Sequence, residues 1–217
     1  MTTEVLIDEL FDRLDEWRGL PSYQLERRTD IFFAIYLKDI INKKYNQTVD
    51  YIIPEFPLRI GNIYSNFKLA NPNLSFKIDY LVVCNSTRKV FLVELKTDSN
   101  SRREKQDKYL NTAKDLNIKN LVDGVLKIYE ATSSKKKYQN LLNILARIGW
   151  LNTETLSNTS TDYEVSILYI QPNPGKETED VITFADLINY LSSNNDKFTT
   201  RFLKSLKEWT KNPNDLQ

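Results

Sequence analysis

The eight residues Lys89-Val90-Phe91-Leu92-Val93-Glu94-Leu95-Lys96 constrain the fold more than any other stretch of the 217-residue chain. Side chains alternate across an extended strand. Phe91, Val93 and Leu95 therefore share one face, and Val90, Leu92, Glu94 and Lys96 share the other. A strand that is apolar on both faces belongs in the middle of a sheet covered on both sides. Its second face ends in an acid and a base. Two ions at the end of a buried strand are costly unless they are paired or used.

Leu74 to Val83 is the other clear strand, and Cys84-Asn85-Ser86-Thr87-Arg88 reads as the turn of a hairpin between the two. With Cys84 and Lys89 flanking the turn, Val83 faces Val90, Leu81 faces Leu92, and Asp79 faces Glu94. Directly opposed carboxylates repel. A divalent cation between them turns that repulsion into a binding site. The same register sets Lys77 opposite Lys96, a second like-charge pair, and a slip of one residue moves Asp79 to the other face.

Composition narrows the chemistry. There is no histidine and one cysteine, Cys84. That excludes, within this chain, histidine acid-base chemistry, Ser-His and Cys-His nucleophile pairs, histidine-ligated zinc and an internal disulfide. Carboxylates, lysines, hydroxyls and amides remain, and the metals that suit them are hard cations such as Mg²⁺ or Mn²⁺. Thirty Lys and Arg against 29 Asp and Glu leave a net charge of +1, which excludes a generally basic nucleic-acid binder but not a local basic groove. The longest apolar run, Ile31 to Leu37, is far short of the roughly 20 residues a membrane span needs. The first residues lack a signal-peptide pattern. The expectation is a cytoplasmic protein with no membrane contact.

The rest of the chain supplies helices around this hairpin. Leu6, Ile7, Leu10, Phe11 and Leu14 predict one apolar face of a helix over 3–18, ended by Gly19-Leu20-Pro21. A second helix over 23–44 is apolar all round at 31–37 and is expected to be buried; Glu26 and Asp30 share a face near its start. Residues 49–53 and 56–60 read as short extended segments broken by Pro54 and Pro57. Ser101-Arg102-Arg103-Glu104 fits a capping box that opens a helix to about Leu116. Helices follow over 121–131 and 136–148, then a loop over 151–162, a strand over 164–170, and helices over 184–191 and 198–209. This predicts a single α/β domain over 1–217, with a motif-bearing core over about 23–171 and a helical C-terminal part over about 176–217.

An acid on one strand followed by Glu-x-Lys on the next resembles the PD-(D/E)XK nuclease superfamily, on Ile78-Asp79 and Glu94-Leu95-Lys96. Ile78 stands where that pattern carries its proline. The run from Glu94-Leu95-Lys96-Thr97-Asp98 through Gln106 and Tyr109 is similar to a signature of bacterial proteins of this type. The resemblance covers about a quarter of the chain, roughly 55–110. It implies a restriction-endonuclease-like core, a small mixed β-sheet flanked by α-helices, with extra helices at both ends. It implies that Asp79, Glu94 and the Leu95 carbonyl hold Mg²⁺ or Mn²⁺, with Glu26 on an early helix as a further ligand. It makes Lys96 the residue that positions or activates the attacking water, and Gln106 an amide at the site. The implied activity is phosphodiester hydrolysis, with nucleic acid, DNA foremost, as partner and a second copy of the chain as a candidate partner.

Plainer readings stand beside these. Asp79, Glu94 and Lys96 could be salt-bridging charges on a surface hairpin. Glu26 could be an acid favoured by the helix dipole alone, with Asp30 a competing ligand one turn on and Glu55 a further candidate. Gln106 could be a surface amide. Arg102, Arg103, Lys105 and Lys108 form a basic turn that suits either a solvated face or phosphate contact. Lys135-Lys136-Lys137 at a helix N-terminus oppose the dipole, so the helix starts later or the lysines serve a partner. The alternative function is a non-catalytic nucleic-acid-binding or protein-interaction module on the same fold.

Overall fold

The computed structural model describes residues 2–65, 69–98, 102–176 and 180–211. In chain order the elements are α1 (Thr3–Trp17), α2 (Leu25–Tyr45), β1 (Tyr51–Arg59), α3 (Ile60–Ile63), β2 (Ser75–Cys84), β3 (Lys89–Leu95), α4 (Glu104–Asp115), α5 (Asn117–Ala131) and α6 (Lys135–Ile148). Then come β4 (Leu151–Asn152), β5 (Ser157–Asn158), β6 (Glu164–Gln171), β7 (Val181–Thr183), α7 (Phe184–Leu191) and α8 (Lys197–Trp209). The architecture is α/β, with a mixed five-stranded sheet in the order β1-β2-β3-β6-β7 flanked by helices. The expected loop over 151–162 contains the two-stranded β4-β5 ribbon, and β7 is a strand that the periodicity does not reveal. Ser101 of the expected capping box lies outside the described residues.

β3 is the third of the five strands, the place its two apolar faces require, and every residue from Val90 to Leu95 is buried. The hairpin register is the one expected: Cys84 pairs with Lys89, Val83 with Val90, Leu81 with Leu92 and Tyr80 with Val93. The expected Lys77–Lys96 opposition lies beyond the β2–β3 ladder, which ends at Tyr80 and Val93. Lys77 pairs with Pro57 on β1, and its ammonium lies 3.4 Å from Glu55 at the surface, whereas Lys96 is buried. One strand, β1, replaces the two segments expected around Pro54 and Pro57. It is the sheet edge, where proline's missing N–H is tolerated.

The chain separates into two compact units, and β3 and β6 each begin in one and end in the other. One unit comprises Met1–Thr48, Glu94–Arg103 and Leu168–Gln217. Its core is aromatic. Phe33, Tyr36 and Trp209 all surround Phe202, and Tyr36 stacks on that ring at 5.7 Å while its hydroxyl shares a 2.6 Å hydrogen bond with Thr199.

The α1 face differs from the periodic one. Phe11 and Leu14 are buried, but Leu6 and Leu10 are 53% and 43% exposed. Polar anchors explain the rotation. Asp15 accepts hydrogen bonds from Trp209 Nε1 at 2.7 Å, Arg201 Nη2 at 3.0 Å and Ser205 Oγ at 3.0 Å, all on α8. Arg18 Nη1 and Nη2 donate to the carbonyls of Glu208 and Lys211, each at 2.6 Å. These bonds bring the 11-14-15-18 line of α1 against α8 and turn Leu6 and Leu10 outward. On α2, Ile31 and Ile35 are likewise exposed, against the expectation of a helix buried all round.

The other unit comprises Val49–Val93 and Glu104–Ile167. Gly124 sits mid-helix in α5, where glycine is unfavourable. A Cβ there would come within 3.1 Å of the Arg59 Cβ and 3.0 Å of the Asn62 amide, so the close approach to this segment requires the missing side chain. α6 begins at Lys135, so the lysines do occupy a helix N-terminus. Lys135 serves the preceding helix: its ammonium donates to the last-turn carbonyls of α5, those of Tyr129 and Glu130, and lies 4.5 Å from the Tyr129 ring. α5 has no basic residue in its own last turn, and Lys135 supplies the charge its dipole favours. Cys84 is buried, and burial pushes its thiol up to about 11.

The α1–α8 network makes a stability prediction. Asp15→Ala strips acceptors from a buried indole N–H, a buried hydroxyl and a buried guanidinium, and is expected to cost about 3 kcal/mol. Asp12→Ala removes an acid that is 70% exposed, and is expected to cost under about 1 kcal/mol. Urea denaturation of the two variants beside the parent checks this; equal costs would remove the network as the cause of the α1 rotation.

Candidate functional site

Glu94 and Lys96 sit at the C-terminal end of β3, on the strand face that the alternation assigns them. Both are almost completely buried, with 3% and 6% of their side chains exposed. Thr97 beyond them is buried too. The Lys96 ammonium donates to Glu94 Oε1 at 2.6 Å and to the carbonyl oxygen of Leu95 at 2.9 Å. It also lies 3.5 Å from Glu26 Oε2. Glu26 is in the first turn of α2, half-buried, where the helix dipole favours a carboxylate. The backbone N–H of Lys96 donates to the Ile170 carbonyl of β6 at 2.8 Å, which ties this strand end into the sheet.

Asp79 reaches the same place along the hairpin. It follows Ile78, which is buried, and precedes Tyr80, which pairs with Val93 at the last rung of the β2–β3 ladder. Glu26, Asp79 and Glu94 each offer a carboxylate oxygen, and these oxygens lie within 4.8 Å of one another. Asp30, the competing ligand on α2, does not belong to this group, and its Oδ1 accepts the N–H of Ile31 at 2.7 Å. The Glu55 side chain is 63% exposed and pairs with Lys77. Gln106 is half-buried in the first turns of α4, one turn before the buried Leu110.

The donor set fits a hard divalent cation. It consists of three carboxylates and the Leu95 carbonyl, all oxygen, and neither sulfur nor imidazole belongs to it. A positive group already draws these donors together, since the Lys96 ammonium touches Glu94, Glu26 and the Leu95 oxygen. Three carboxylates this close favour a positive charge among them.

The basic turn after the motif divides. The Arg102 guanidinium lies over the Tyr169 ring, 4.0 Å from its centroid. Lys105 lies 5.7 Å from the Phe76 ring, and Lys108 pairs with Glu104 at 2.7 Å on the exposed side of α4. Arg103 is exposed. The Arg102–Tyr169 pair is not legible in the sequence, because nothing in the spacing links a loop arginine to a tyrosine on β6.

The crowding at the site has a measurable consequence in the absence of metal. Asp79→Asn relieves like-charge repulsion and is expected to stabilise the protein in EDTA by about 1 kcal/mol. Glu94→Gln instead deprives a buried ammonium of its shortest ion pair and is expected to cost about 3 kcal/mol. Thermal melts in EDTA compare the two. Asp79→Asn that leaves stability unchanged or lowers it would show that the carboxylates do not strain one another.

No protein-family model matches this chain, and neither does any curated protein or any solved structure.

Proposed function

We propose that this chain is a metal-dependent nuclease of the PD-(D/E)XK type, built on a restriction-endonuclease-like core, that hydrolyses phosphodiester bonds in DNA. The observation that carries the reading is the convergence of Glu26, Asp79 and Glu94 within 4.8 Å, with Lys96 two residues past Glu94. The mixed sheet supports it as well, since Asp79 and Glu94 come from adjacent antiparallel strands of which β3 is central. A reduced, cytoplasmic setting suits the buried thiol of Cys84.

In this reading Asp79, Glu94, Glu26 and the Leu95 carbonyl hold Mg²⁺ or Mn²⁺. When bound, the metal supplies a Lewis acid for a phosphoryl oxygen and lowers the pKa of a bound water. The chain's own residues do the rest. Lys96, as an ammonium, donates to the attacking water and orients it, and its charge offsets the charge that grows on the non-bridging phosphate oxygens. Water oxygen bonds to phosphorus as its proton passes to bulk solvent, the bond from phosphorus to the leaving oxygen breaks, and that oxygen takes a proton from solvent. Gln106 adds a neutral amide that orients substrate. Arg102, held over Tyr169, and the exposed Arg103 give phosphate contacts that position the strand without reading its sequence. The near-zero net charge of the chain suits a local groove of this kind.

The test offers purified protein labelled single- and double-stranded DNA and RNA, with Mg²⁺, Mn²⁺ or EDTA. Cleavage is expected with metal and DNA. It is expected to fall by at least about a hundredfold in both Glu94→Ala and Lys96→Ala. Cutting that survives EDTA, or that both variants retain, overturns the reading. Metal-independent binding of nucleic acid without cutting would instead favour a binding module on this fold.

A further inference from the structure

We propose that Lys96 is a built-in competitor for the divalent cation: its ammonium holds the acidic residues of the site together in the metal-free protein, and it withdraws when the site loads. The inference rests on the metal-site reading above. Its basis is that the ammonium contacts Glu94 at 2.6 Å, the Leu95 carbonyl at 2.9 Å and Glu26 at 3.5 Å, and these are three of the four groups assigned to the metal. A group that occupies the ligands cannot share them with a dication, because the two positive charges repel at such range.

The choice of lysine makes withdrawal feasible. An ammonium is a compact point charge on a flexible four-carbon stem, and it can reach a different partner by changing rotamers. It also protects the unloaded site. Glu94 is buried, and without a counter-charge its carboxylate would be desolvated for nothing. The same side chain therefore has two positions and two tasks. Among the carboxylates it neutralises them; released from them, it faces water and phosphate. Loading the site and arming the lysine become one event, so an unloaded protein does not present its reactive cation to nucleic acid.

The test measures metal affinity rather than cleavage. Mn²⁺ and Mg²⁺ binding by calorimetry is compared for the parent chain, Lys96→Met and Lys96→Arg, with thermal melts of each in EDTA and in excess Mn²⁺. Lys96→Met removes the competitor at similar length, and is expected to bind metal at least about tenfold more tightly. It should melt lower in EDTA and gain more than the parent on adding Mn²⁺. Lys96→Arg keeps the charge on a fork of five donors that grips carboxylates better, and is expected to bind metal more weakly. It preserves the ion pair and so tests the idea even where Lys96→Met does not fold without metal. Equal or weaker affinity in Lys96→Met, or tighter affinity in Lys96→Arg, overturns the competitor and leaves the metal site standing. Absence of binding by the parent and both variants overturns the competitor together with the metal-site reading.

Discussion

The pairing of Val83 with Val90 sets the hairpin half of the candidate site. A strand's faces alternate with a period of two, so this one pairing decides which side of the sheet each later residue takes. With it, Tyr80 pairs with Val93 at the end of the ladder, and Asp79 and Glu94 are the next residues along each strand. A slip by one would send Asp79 to the other face and put apolar Ile78 or Tyr80 against the acid. The register is held by burial rather than by the charges. Leu81, Val82, Val83, Val90, Phe91 and Leu92 are all fully buried, and a slip would exchange the surroundings of every one. The apolar part of the hairpin stabilises the placement of the part that repels.

Burial at the strand end then sets a second requirement. Glu94 is desolvated because β3 is central, and a desolvated carboxylate must be paired or protonated. Lys96 meets that need from the same strand face, two residues on, with a 2.6 Å contact. The Leu95 carbonyl turns toward the same ammonium. Glu26 approaches from the N-terminal turn of α2, where the positive end of the helix dipole favours an acidic side chain. Glu94 and Glu26 thus each have a favourable local partner, the Lys96 ammonium for one and a helix N-terminus for the other.

Much of this was legible in the sequence because the relevant signals are local. Two-faced apolarity identified β3 as central, and a short turn fixed the hairpin register through Cys84 and Lys89. What was not legible depends on long-range polar partners. The rotation of α1 follows from Asp15 and Arg18 bonding to α8 nearly two hundred residues away, so its periodic apolar face misled. Ile31 and Ile35 look like core by composition, yet only tertiary packing decides which side of a helix is covered. β7 has three residues, too few for any periodic signal. The lysines of 135–137 posed a contradiction with the dipole that the sequence alone could not resolve, since the end of α5 that Lys135 serves is brought to it by the turn between the helices. At the site, Glu26 was one of two plausible acids on α2, and the geometry separates it from Asp30.

Two groups of acids around a cation in this chain invite comparison. Arg201 is surrounded by Asp8, Asp12 and Asp15, and Lys96 by Glu94 and Glu26 with Asp79 beside them. The first is built to stay. A guanidinium spreads its donors over several fixed directions and is always charged, and here Ser205 takes one of them while Trp209 shares Asp15. Asp12 and Asp15 share its Nη2, and its three carboxylates do not form a group of oxygens close enough for one ion. The second, in the reading proposed above, is built to exchange. Its carboxylate oxygens converge on one point, its cation is a single ammonium on a flexible stem, and a backbone carbonyl joins the donors. The difference between a structural cluster and a site is therefore not the number of acids. It lies in whether the cation that balances them can leave without unmaking the surrounding structure.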